Sequence, residues 1–248
     1  MVVLVSDEER IVQEKITVYI ADVSILNDPS WYENASARVS EERLRKAEGY
    51  RFMKDKALSL GAGILLRYAL KSAGIDSAEM SVTAKGKPYL ENHSELSFSL
   101  SHSGTLVMCV AAGVPVGCDV QEAKQAPLEA SHLVFSKEER EHLAGLEEEA
   151  ARDYFFAVWT GKESFLKMTG EGLSGRPDEF TIALPLGEQE IRESMVTFWD
   201  IPCECGYRAA VCAAGIHRRE ALSAEYVDLR EIMMQTGGLC TQSIPSQD

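Results

Sequence analysis

A ten-residue segment occurs twice in similar form in this chain, and the repetition limits the folds that the chain can adopt. Gly104-Thr-Leu-Val-Met-Cys-Val-Ala-Ala-Gly113 resembles Gly206-Tyr-Arg-Ala-Ala-Val-Cys-Ala-Ala-Gly215, at an offset of 102 residues. A helix-end pattern upstream, Leu70-Lys71 with Gly74, recurs at an offset of 96 residues as Leu166-Lys167 with Gly170. A period this long does not indicate a solenoid. It predicts an α+β fold of two similar halves with a cleft between them. The alternative is chance, because Ala-Ala-Gly and Leu-Lys are common.

The repeat also gives the expected domain boundaries. We place an N-terminal α+β half at residues 1–115 and a C-terminal α+β half at residues 116–235. Residues 236–248 are rich in Gly, Ser, Gln and Pro, a composition typical of a loose tail. Because one chain would contain both halves, we expect a monomer to suffice.

Composition and charge exclude several classes of protein. The 248 residues include 25 basic and 39 acidic side chains, for a net charge of −14. A protein this acidic lacks the broadly basic surface that general duplex binding requires, so we expect no nucleic-acid partner. A small basic site remains compatible with this charge. Apolar residues make up 45% of the chain, which is ordinary for a globular protein.

The sequence also gives expectations about location. Its longest apolar run, Leu106 to Val114, is far shorter than the roughly 18 residues of a membrane-spanning helix. The start of the chain lacks the basic region and the apolar length of a signal peptide. The six cysteines show no disulfide framework, and Cys203 and Cys205 lack the second pair of ligands that a zinc site needs. We therefore expect a cytoplasmic protein without a membrane partner.

Apolar periodicity and turn residues predict the order of the elements. Helices are expected at 40–47, 54–72, 136–143 and 150–169, with Ser40 as an N-cap and a capping box at Ser136–Glu139. Strands are expected at 16–23, 81–83, 96–100, 105–112, 116–120, 179–184, 195–200 and 206–214. A loop is expected at 27–34, and a polar corner at Ser101–Gly104.

The predicted helix at 150–169 carries a cluster of charged residues. Residues four apart share one helix face, so Trp159, Glu163 and Lys167 line up, with Lys162 beside them. A carboxylate between two ammonium groups suits a metal and several phosphates. The alternative is a solvated Glu–Lys face. Gly161-Lys162 is not a phosphate-binding loop, because the residue after the lysine is Glu163 and the pair lies within a helix.

Two further groups of polar residues lie on predicted strands. Asp119 and Gln121 point to the same face of a strand and, with Glu163, would form an all-oxygen site suited to Mg²⁺. The alternative is a strand with a wet polar face. Ser101, His102 and Ser103 could bind phosphate through hydroxyl, backbone and imidazole groups. The alternative there is a capping turn.

Four motifs in order carry a family resemblance: Gly86-Lys87-Pro88, Ser99-Leu-Ser101-His102-Ser103, Gly117-Cys-Asp119-Val-Gln121 and Trp159-Thr-Gly-Lys162-Glu163-Ser-Phe-Leu-Lys167. Together they resemble the 4′-phosphopantetheinyl transferase superfamily. The similarity is to the surfactin-synthetase-activating type rather than to the short, trimer-forming holo-acyl-carrier-protein synthase type. The motifs span about residues 86–173, and the flanking elements extend the resemblance over most of the chain.

The resemblance implies a fold, a reaction and partners. The fold is a pseudo-dimer with coenzyme A bound in the cleft between the halves. The reaction transfers the phosphopantetheine arm of coenzyme A to a serine of an apo acyl or peptidyl carrier protein and releases adenosine 3′,5′-bisphosphate. Mg²⁺ would neutralise the charge that develops on the leaving phosphate.

The resemblance also implies residue roles. Asp119 and Glu163 match the magnesium ligands, with Gln121 beside them, and Glu163 matches the group that takes the serine proton. The positions that match coenzyme A contacts are His102, Lys162 and Lys167 for the phosphates and Lys87 and Ser101 for the nucleoside side. Glu163, Lys167 and His102 form the implied catalytic set, and Trp159 is expected to shape the pocket.

Two positions depart from the family pattern. Gln121 stands where a second acid is usual, which bears on metal affinity. Leu58 lies where an arginine usually grips the adenosine phosphate, and only Lys54 and Lys56 are close by in sequence. These departures favour the rival interpretation, a non-catalytic binder of coenzyme A or a nucleotide with the same fold. A third possibility is an unrelated α+β domain. The sequence does not indicate which carrier is served.

Overall fold

The described part of the chain comprises residues 15–204, 206–215 and 217–235 of a computed structural model. The expectations for the start of the chain at 1–14 and for the tail at 236–248 lie outside the described residues. Among those that are described, no helix has the length and apolar character needed to cross a membrane.

The first half of the chain forms a strand, three helices and then four strands. In order these are β1 (Ile16–Asp22), α1 (Pro29–Ser36), α2 (Glu41–Gly49), α3 (Met53–Ser72), β2 (Met80–Val82), β3 (Pro88–Leu90), β4 (Ser97–Ser103) and β5 (Leu106–Ala112).

The second half begins with a strand, continues with three helices and ends in strands and a short helix. In order these are β6 (Val116–Glu122), α4 (Ser131–Val134), α5 (Lys137–Ala144), α6 (Glu148–Thr169), β7 (Glu188–Ile191), β8 (Ser194–Asp200), β9 (Tyr207–Ala214), β10 (Leu222–Tyr226) and α7 (Leu229–Gln235). Short 3₁₀ turns lie at Ser24–Asn27, Leu128–Ala130, Gly172–Gly175, Pro177–Glu179 and Arg219–Ala221.

These elements stack in four layers, helix on sheet on sheet on helix. The first sheet has the order β10-β1-β5-β4 and the second has the order β6-β9-β8-β7. Alternate residues of β1 show why both faces are buried, since side chains of a strand point to opposite faces. Ile16, Val18 and Ile20 enter the core between the sheets, whereas Tyr19 and Ala21 enter the core beneath α3. Helix α6 covers the outer face of the second sheet.

The repeated segments occupy equivalent positions, which confirms the predicted pseudo-dimer of two α+β halves. They form β5 and β9, each an interior strand of a four-stranded sheet covered by a long helix. The final elements return to the first half, because β10 pairs in parallel with β1 and α7 adds Leu229 and Ile232 to the core beneath α3. The boundary between residues 115 and 116 stays a prediction.

Helix starts and ends follow the predicted capping residues. The Ser40 side chain accepts from the backbone N–H of Arg43 at the start of α2. The capping box between Ser136 and Glu139 opens α5. Gly170 ends α6 in the left-handed conformation, with φ 74°, which glycine adopts without steric cost.

Several elements differ from the sequence prediction. The loop expected at 27–34 is wrong, because the Asp28 carboxylate accepts from Ser30 N at 2.9 Å and caps α1. The prediction of a strand at 179–184 is also wrong. Backbone groups of Phe180 and Ile182 form hydrogen bonds with the side chains of Lys162 and Glu139 rather than with a neighbouring strand. The corner expected at 101–104 is shorter, since β4 continues to Ser103. The sequence prediction also missed β3, β7, β10, α4 and α7.

Candidate active site

A cleft of about 860 Å³ lies between the two halves. Residues from α2, α3, β3, β4, β6, α4, α6 and the segments around Ala130 and Pro177 line it. They are Arg43, Lys46, Ala62, Pro88, Leu100, Ser101, His102, Asp119, Gln121, Ala130, Leu133, Val134, Trp159, Glu163, Lys167 and Pro177. The cleft brings together Ser101, His102, Asp119, Gln121, Glu163 and Lys167 from the sequence-predicted site, but neither Lys87 nor Lys162.

A ladder of serine hydroxyls joins the halves beside this cleft. Every second residue of β4 is a serine, and each hydroxyl accepts from a backbone N–H on the free edge of β6. The bonds run from Val116 N to Ser97, Cys118 N to Ser99, Val120 N to Ser101 and Glu122 N to Ser103, at 3.0–3.3 Å. Strands β4 and β6 are edge strands of different sheets. The ladder therefore satisfies edge donors that would otherwise need water or another strand.

A glycine on β6 sets the distance between that strand and α6. A Cβ atom at Gly117 would lie 2.0 Å from the carbonyl oxygen of Ser164 and 2.4 Å from the amide nitrogen of Met168. Only a residue without a side chain allows this approach. The close contact lets Asp119, two residues along the strand, reach the side chains of α6.

Asp119, Lys167 and Ser101 form a hydrogen-bonded cluster at the base of the cleft. The Lys167 ammonium lies 2.7 Å from Oδ1 of Asp119 and donates to the Ser101 hydroxyl at 3.0 Å. That hydroxyl donates to the same Oδ1 at 2.8 Å. Burial has the largest single effect and acts to lower the pKa of Lys167, but Asp119, Cys118 and Glu163 together outweigh it and the pKa is raised. The Lys167 side chain therefore stays protonated and positively charged at neutral pH.

Glu163 lies one helical turn before Lys167 and faces the same cleft. Burial raises the pKa of Glu163, the charge of Asp119 raises it further, and Lys167 partly offsets both effects. A carboxylate with a raised pKa is a better proton acceptor than an ordinary glutamate. Trp159, one turn earlier, lines the cleft and stacks on Phe155 with ring centroids 5.5 Å apart.

Gln121 lies beside Asp119, as the strand spacing predicts. Its Nε2 donates to Oδ2 of Asp119 at 3.0 Å, and its Oε1 accepts from the Ser103 hydroxyl at 3.5 Å. The amide therefore turns its nitrogen toward the carboxylate in this arrangement.

The oxygen atoms here meet the general requirements of Mg²⁺. No group of three His, Cys, Asp or Glu side chains within the described ranges could hold a metal ion. Asp119 and Glu163 do share the cleft, and Gln121 would supply its amide oxygen as a third hard donor once the amide turns, because its nitrogen faces Asp119 here. Because Mg²⁺ is usually held by one or two carboxylates together with phosphate oxygens and water, the donor set fits this ion when a phosphate-bearing ligand is also bound.

His102 lies on the cleft side of β4 among cationic side chains. Desolvation and the charge of Lys167 lower the pKa of His102. Lys46 and Arg43 act in the same direction. The imidazole is thus neutral at pH 7, and the positive charge comes from the neighbouring side chains.

Arg43 and Lys46 are cleft residues that the sequence prediction missed. They lie three positions apart on α2, and residues at that spacing share a helix face. Leu58, where the family pattern has an arginine, is only 4% exposed and belongs to the core. Neither Lys54 nor Lys56 lines the cleft. The only sequence signal was the i, i+3 spacing of two cations on a short polar helix.

Lys87 lies in a second pocket of about 230 Å³, which shares Pro88, Leu100 and Lys167 with the cleft. Its ammonium donates to the backbone carbonyls of Met168 at 2.6 Å and Val116 at 3.3 Å. Burial lowers the pKa of Lys87. The side chain thus ties the end of α6 to β6 beside the expected nucleoside position.

Lys162 is directed away from the cleft, which corrects the expectation that it contacts phosphate. Its side chain has no exposed surface and forms an ion pair of 2.6 Å with Glu139 on α5. The physical reason is helical geometry, since one residue turns the side chain by about 100°. Glu163 then faces the cleft while Lys162 faces the segment at 177–182.

Comparison with known proteins identifies the family. A family model described as 4′-phosphopantetheinyl transferase superfamily matches residues 115–212. A second, described as 4′-phosphopantetheinyl transferase, N-terminal, matches residues 28–114.

Three relatives agree with these matches. A 4′-phosphopantetheinyl transferase of Bacillus subtilis is 32% identical, with 72% of this chain and 83% of that protein covered. The 4′-phosphopantetheinyl transferase Sfp of Bacillus subtilis (strain 168) is 30% identical over 71% of this chain and 82% of its own length. The 4′-phosphopantetheinyl transferase psf-1 of Bacillus pumilus is 30% identical over 77% of this chain and 83% of its own length. This agreement confirms the resemblance drawn from the four motifs, and the chain belongs to the 4′-phosphopantetheinyl transferase superfamily.

Proposed function

We propose that this chain moves the phosphopantetheine arm of coenzyme A to a serine hydroxyl of an apo acyl or peptidyl carrier protein. Adenosine 3′,5′-bisphosphate is the other product. The observation that carries the proposal is the convergence of Asp119, Glu163 and Lys167 on one cleft between two family-matched halves. A mere binder has no need of an acid with a raised pKa beside a fixed cation.

The cationic residues of the cleft support binding of the phosphates of coenzyme A. Arg43, Lys46 and Lys167 supply positive charge, and neutral His102 can donate a hydrogen bond. Such charge-assisted hydrogen bonds are shorter and stronger than those between neutral groups. The pocket beside Lys87 adjoins the cleft at Pro88 and Leu100, which favours a nucleoside position there.

Asp119 and Glu163 would hold Mg²⁺, with the Gln121 amide oxygen as a neutral third donor. When bound, the ion neutralises charge on the pyrophosphate and on its leaving oxygen. Lys167 would donate to a phosphate oxygen while Ser101 keeps Asp119 oriented. These assignments rest on the donor atoms described above.

The transfer step requires a proton acceptor for the carrier serine. Its oxygen forms a bond to the phosphorus nearest the pantetheine arm, while the bond from that phosphorus to the oxygen bridging the two phosphates breaks. Glu163 takes the serine proton, directly or through water, because its raised pKa suits this role. The electron pair of the broken bond leaves with adenosine 3′,5′-bisphosphate.

We further propose that the protein acts as a monomer in the cytoplasm, without nucleic-acid or membrane partners. The monomer is supported by the cleft, since residues of both halves of one chain line it. The cytoplasmic location rests on the sequence arguments alone.

The test is intact mass spectrometry of apo carriers. A panel from fatty-acid, polyketide and non-ribosomal peptide synthases is incubated with the protein, coenzyme A and Mg²⁺. We expect at least one carrier to gain a single phosphopantetheine. If a known transferase labels the panel and this protein labels none, while it still binds coenzyme A, the non-catalytic rival is correct.

A further inference from the structure

Lys162 and Glu139 form a fully buried ion pair that the proposed reaction does not use. The three protons of the Lys162 ammonium have three acceptors: Oε2 of Glu139 at 2.6 Å, the carbonyl of Pro177 at 2.6 Å and the carbonyl of Phe180 at 2.5 Å. A lysine side chain has no further donor. This side chain is therefore fully engaged within the protein.

Both carboxylate oxygens of Glu139 also accept hydrogen bonds within the protein. Its Oε2 also accepts from the backbone N–H of Ser136 at 2.8 Å, and its Oε1 accepts from that of Ile182 at 2.7 Å. The pair thus links the start of α5, the middle of α6 and the segment at 177–182.

Hydrogen bonds to the ion pair hold the backbone of the segment at 177–182, while its Phe180 and Ile182 side chains pack in the core beside Phe165. The segment forms one 3₁₀ turn at Pro177–Glu179 and pairs with no strand. Besides the bonds to the ion pair, Thr181 donates to the Ser136 hydroxyl at 2.8 Å, and the Phe180 ring lies 4.7 Å from the Lys162 nitrogen.

Pro177 connects this segment to the cleft. It adds to the apolar lining that the second half contributes, with Ala130, Leu133, Val134 and Trp159, whereas the cations come from α2 and from Lys167. If the phosphates of coenzyme A lie against the cations, the apolar part is left for the pantetheine arm.

A buried ion pair is a poor source of stability, because desolvation offsets the attraction between the charges. Its directional bonds can still fix the position of a segment. We propose that Lys162 is a positioning residue, which holds Pro177 so that the apolar wall of the cleft orients the pantetheine arm for transfer. This inference rests on the proposed function.

The test compares Lys162→Met with Lys137→Met. Lys137 forms an exposed ion pair of 3.7 Å with Glu141, one turn along the same helix α5, so this control also removes one lysine from an ion pair. Kinetics of carrier modification give kcat and KM, and calorimetry with adenosine 3′,5′-bisphosphate reports on the phosphate end alone. For Lys162→Met we expect kcat/KM to fall about tenfold or more, since small misplacements of reacting groups are costly. We expect unchanged affinity for the bisphosphate, and no change in either quantity for Lys137→Met.

Two results would overturn the inference. If bisphosphate affinity falls in parallel with kcat/KM, Lys162 acts on the phosphate end or on the fold as a whole. If kcat/KM is unchanged, the position of Pro177 does not matter for transfer.

If Lys162→Met does not fold, Glu139→Gln combined with Lys162→Met removes both charges and serves in its place. The same kinetic loss is expected there, because the carbonyls of Pro177 and Phe180 still lack their donor. Absence of transfer by the wild-type protein would instead contradict the proposed function.

Discussion

The hydroxyl of Ser101 donates to Oδ1 of Asp119 at 2.8 Å, and the two residues come from different halves of the pseudo-dimer. The same hydroxyl accepts from Lys167 at 3.0 Å and from the backbone N–H of Val120 at 3.2 Å. One serine therefore aligns the acid and the cation of the site while it joins the two sheets. This contact explains how the assembly of the halves builds the active site.

Replacement of Ser101 by alanine should cost both stability and activity. The change leaves the Val120 N–H without its acceptor and removes one of the three donors to Asp119, so we expect a loss of about 1–3 kcal/mol in the free energy of unfolding. Transfer should fall more strongly than in Ser97→Ala, which removes another rung of the ladder but does not line the cleft. Denaturant unfolding and kinetics of both variants check this. Equal activity in the two variants would limit Ser101 to joining the sheets.

The cations of α2 should carry part of the affinity for coenzyme A. We expect Lys46→Ala to weaken binding about tenfold, the loss typical of one charge-assisted hydrogen bond. Lys54→Ala, which removes a lysine outside the cleft, should leave binding unchanged. Calorimetry at several salt concentrations should show weaker binding by the wild-type protein at higher salt, since charges are screened over about 10 Å at 0.1 M. If Lys54→Ala weakened coenzyme A binding more than Lys46→Ala does, the assignment of Lys46 to the binding site would be wrong.

Glu163 should make stability depend on pH when metal and coenzyme A are absent. Because burial and Asp119 raise its pKa in the folded protein, the protonated carboxyl favours folding. Its contribution is fully present below the pKa of an unfolded glutamate, about 4.3, and is lost as the pH rises through the folded value. Glu163→Gln should therefore gain stability relative to wild type as the pH rises toward 7, although it abolishes transfer.

Thermal unfolding from acidic to neutral pH measures this difference. Glu149→Gln, at a side chain that is 88% exposed, is the control and should track the wild-type protein. A constant difference between Glu163→Gln and wild type at all pH values would show that the carboxyl at position 163 titrates normally.

Gln121 should limit the affinity of the site for Mg²⁺. A neutral amide adds a donor atom but no charge, and metal affinity depends on both. We expect weak Mg²⁺ binding alone and strong binding with coenzyme A, whereas Gln121→Glu should bind Mg²⁺ more tightly without coenzyme A. Gln125→Glu adds the same charge at an exposed position and should change nothing. Calorimetry that gives identical affinities for wild type and Gln121→Glu, with and without coenzyme A, would remove Gln121 from the site.

Much of the site could be predicted because its key spacings are local. Glu163 and Lys167 share a helix face by periodicity, and Asp119 and Gln121 share a strand face. The remaining features depend on contacts between distant segments. The direction of Lys162 is set by carbonyls of Pro177 and Phe180, and the cleft position of Lys46 is set by the packing of α2 on α3.

The same distinction applies to the fold: local patterns predict some elements, and contacts between distant segments determine the others. The paired segments that form β5 and β9 are visible as a repeat, and capping residues mark the helices. The parallel pairing of β10 with β1 joins opposite ends of the described chain, and a pattern within either strand carries no information about it. The segment at 179–184 resembles a strand in composition, but side chains of Glu139 and Lys162 take its backbone groups.

The central claim, that the carboxylates of this cleft carry out phosphopantetheine transfer, is tested most directly by intact mass spectrometry of one apo carrier incubated with Asp119→Asn or Glu163→Gln. The wild-type protein should add one phosphopantetheine to a carrier that it modifies, in a reaction that needs Mg²⁺. Each variant should leave the carrier unmodified while remaining folded. Full modification of the carrier by either variant would contradict the account.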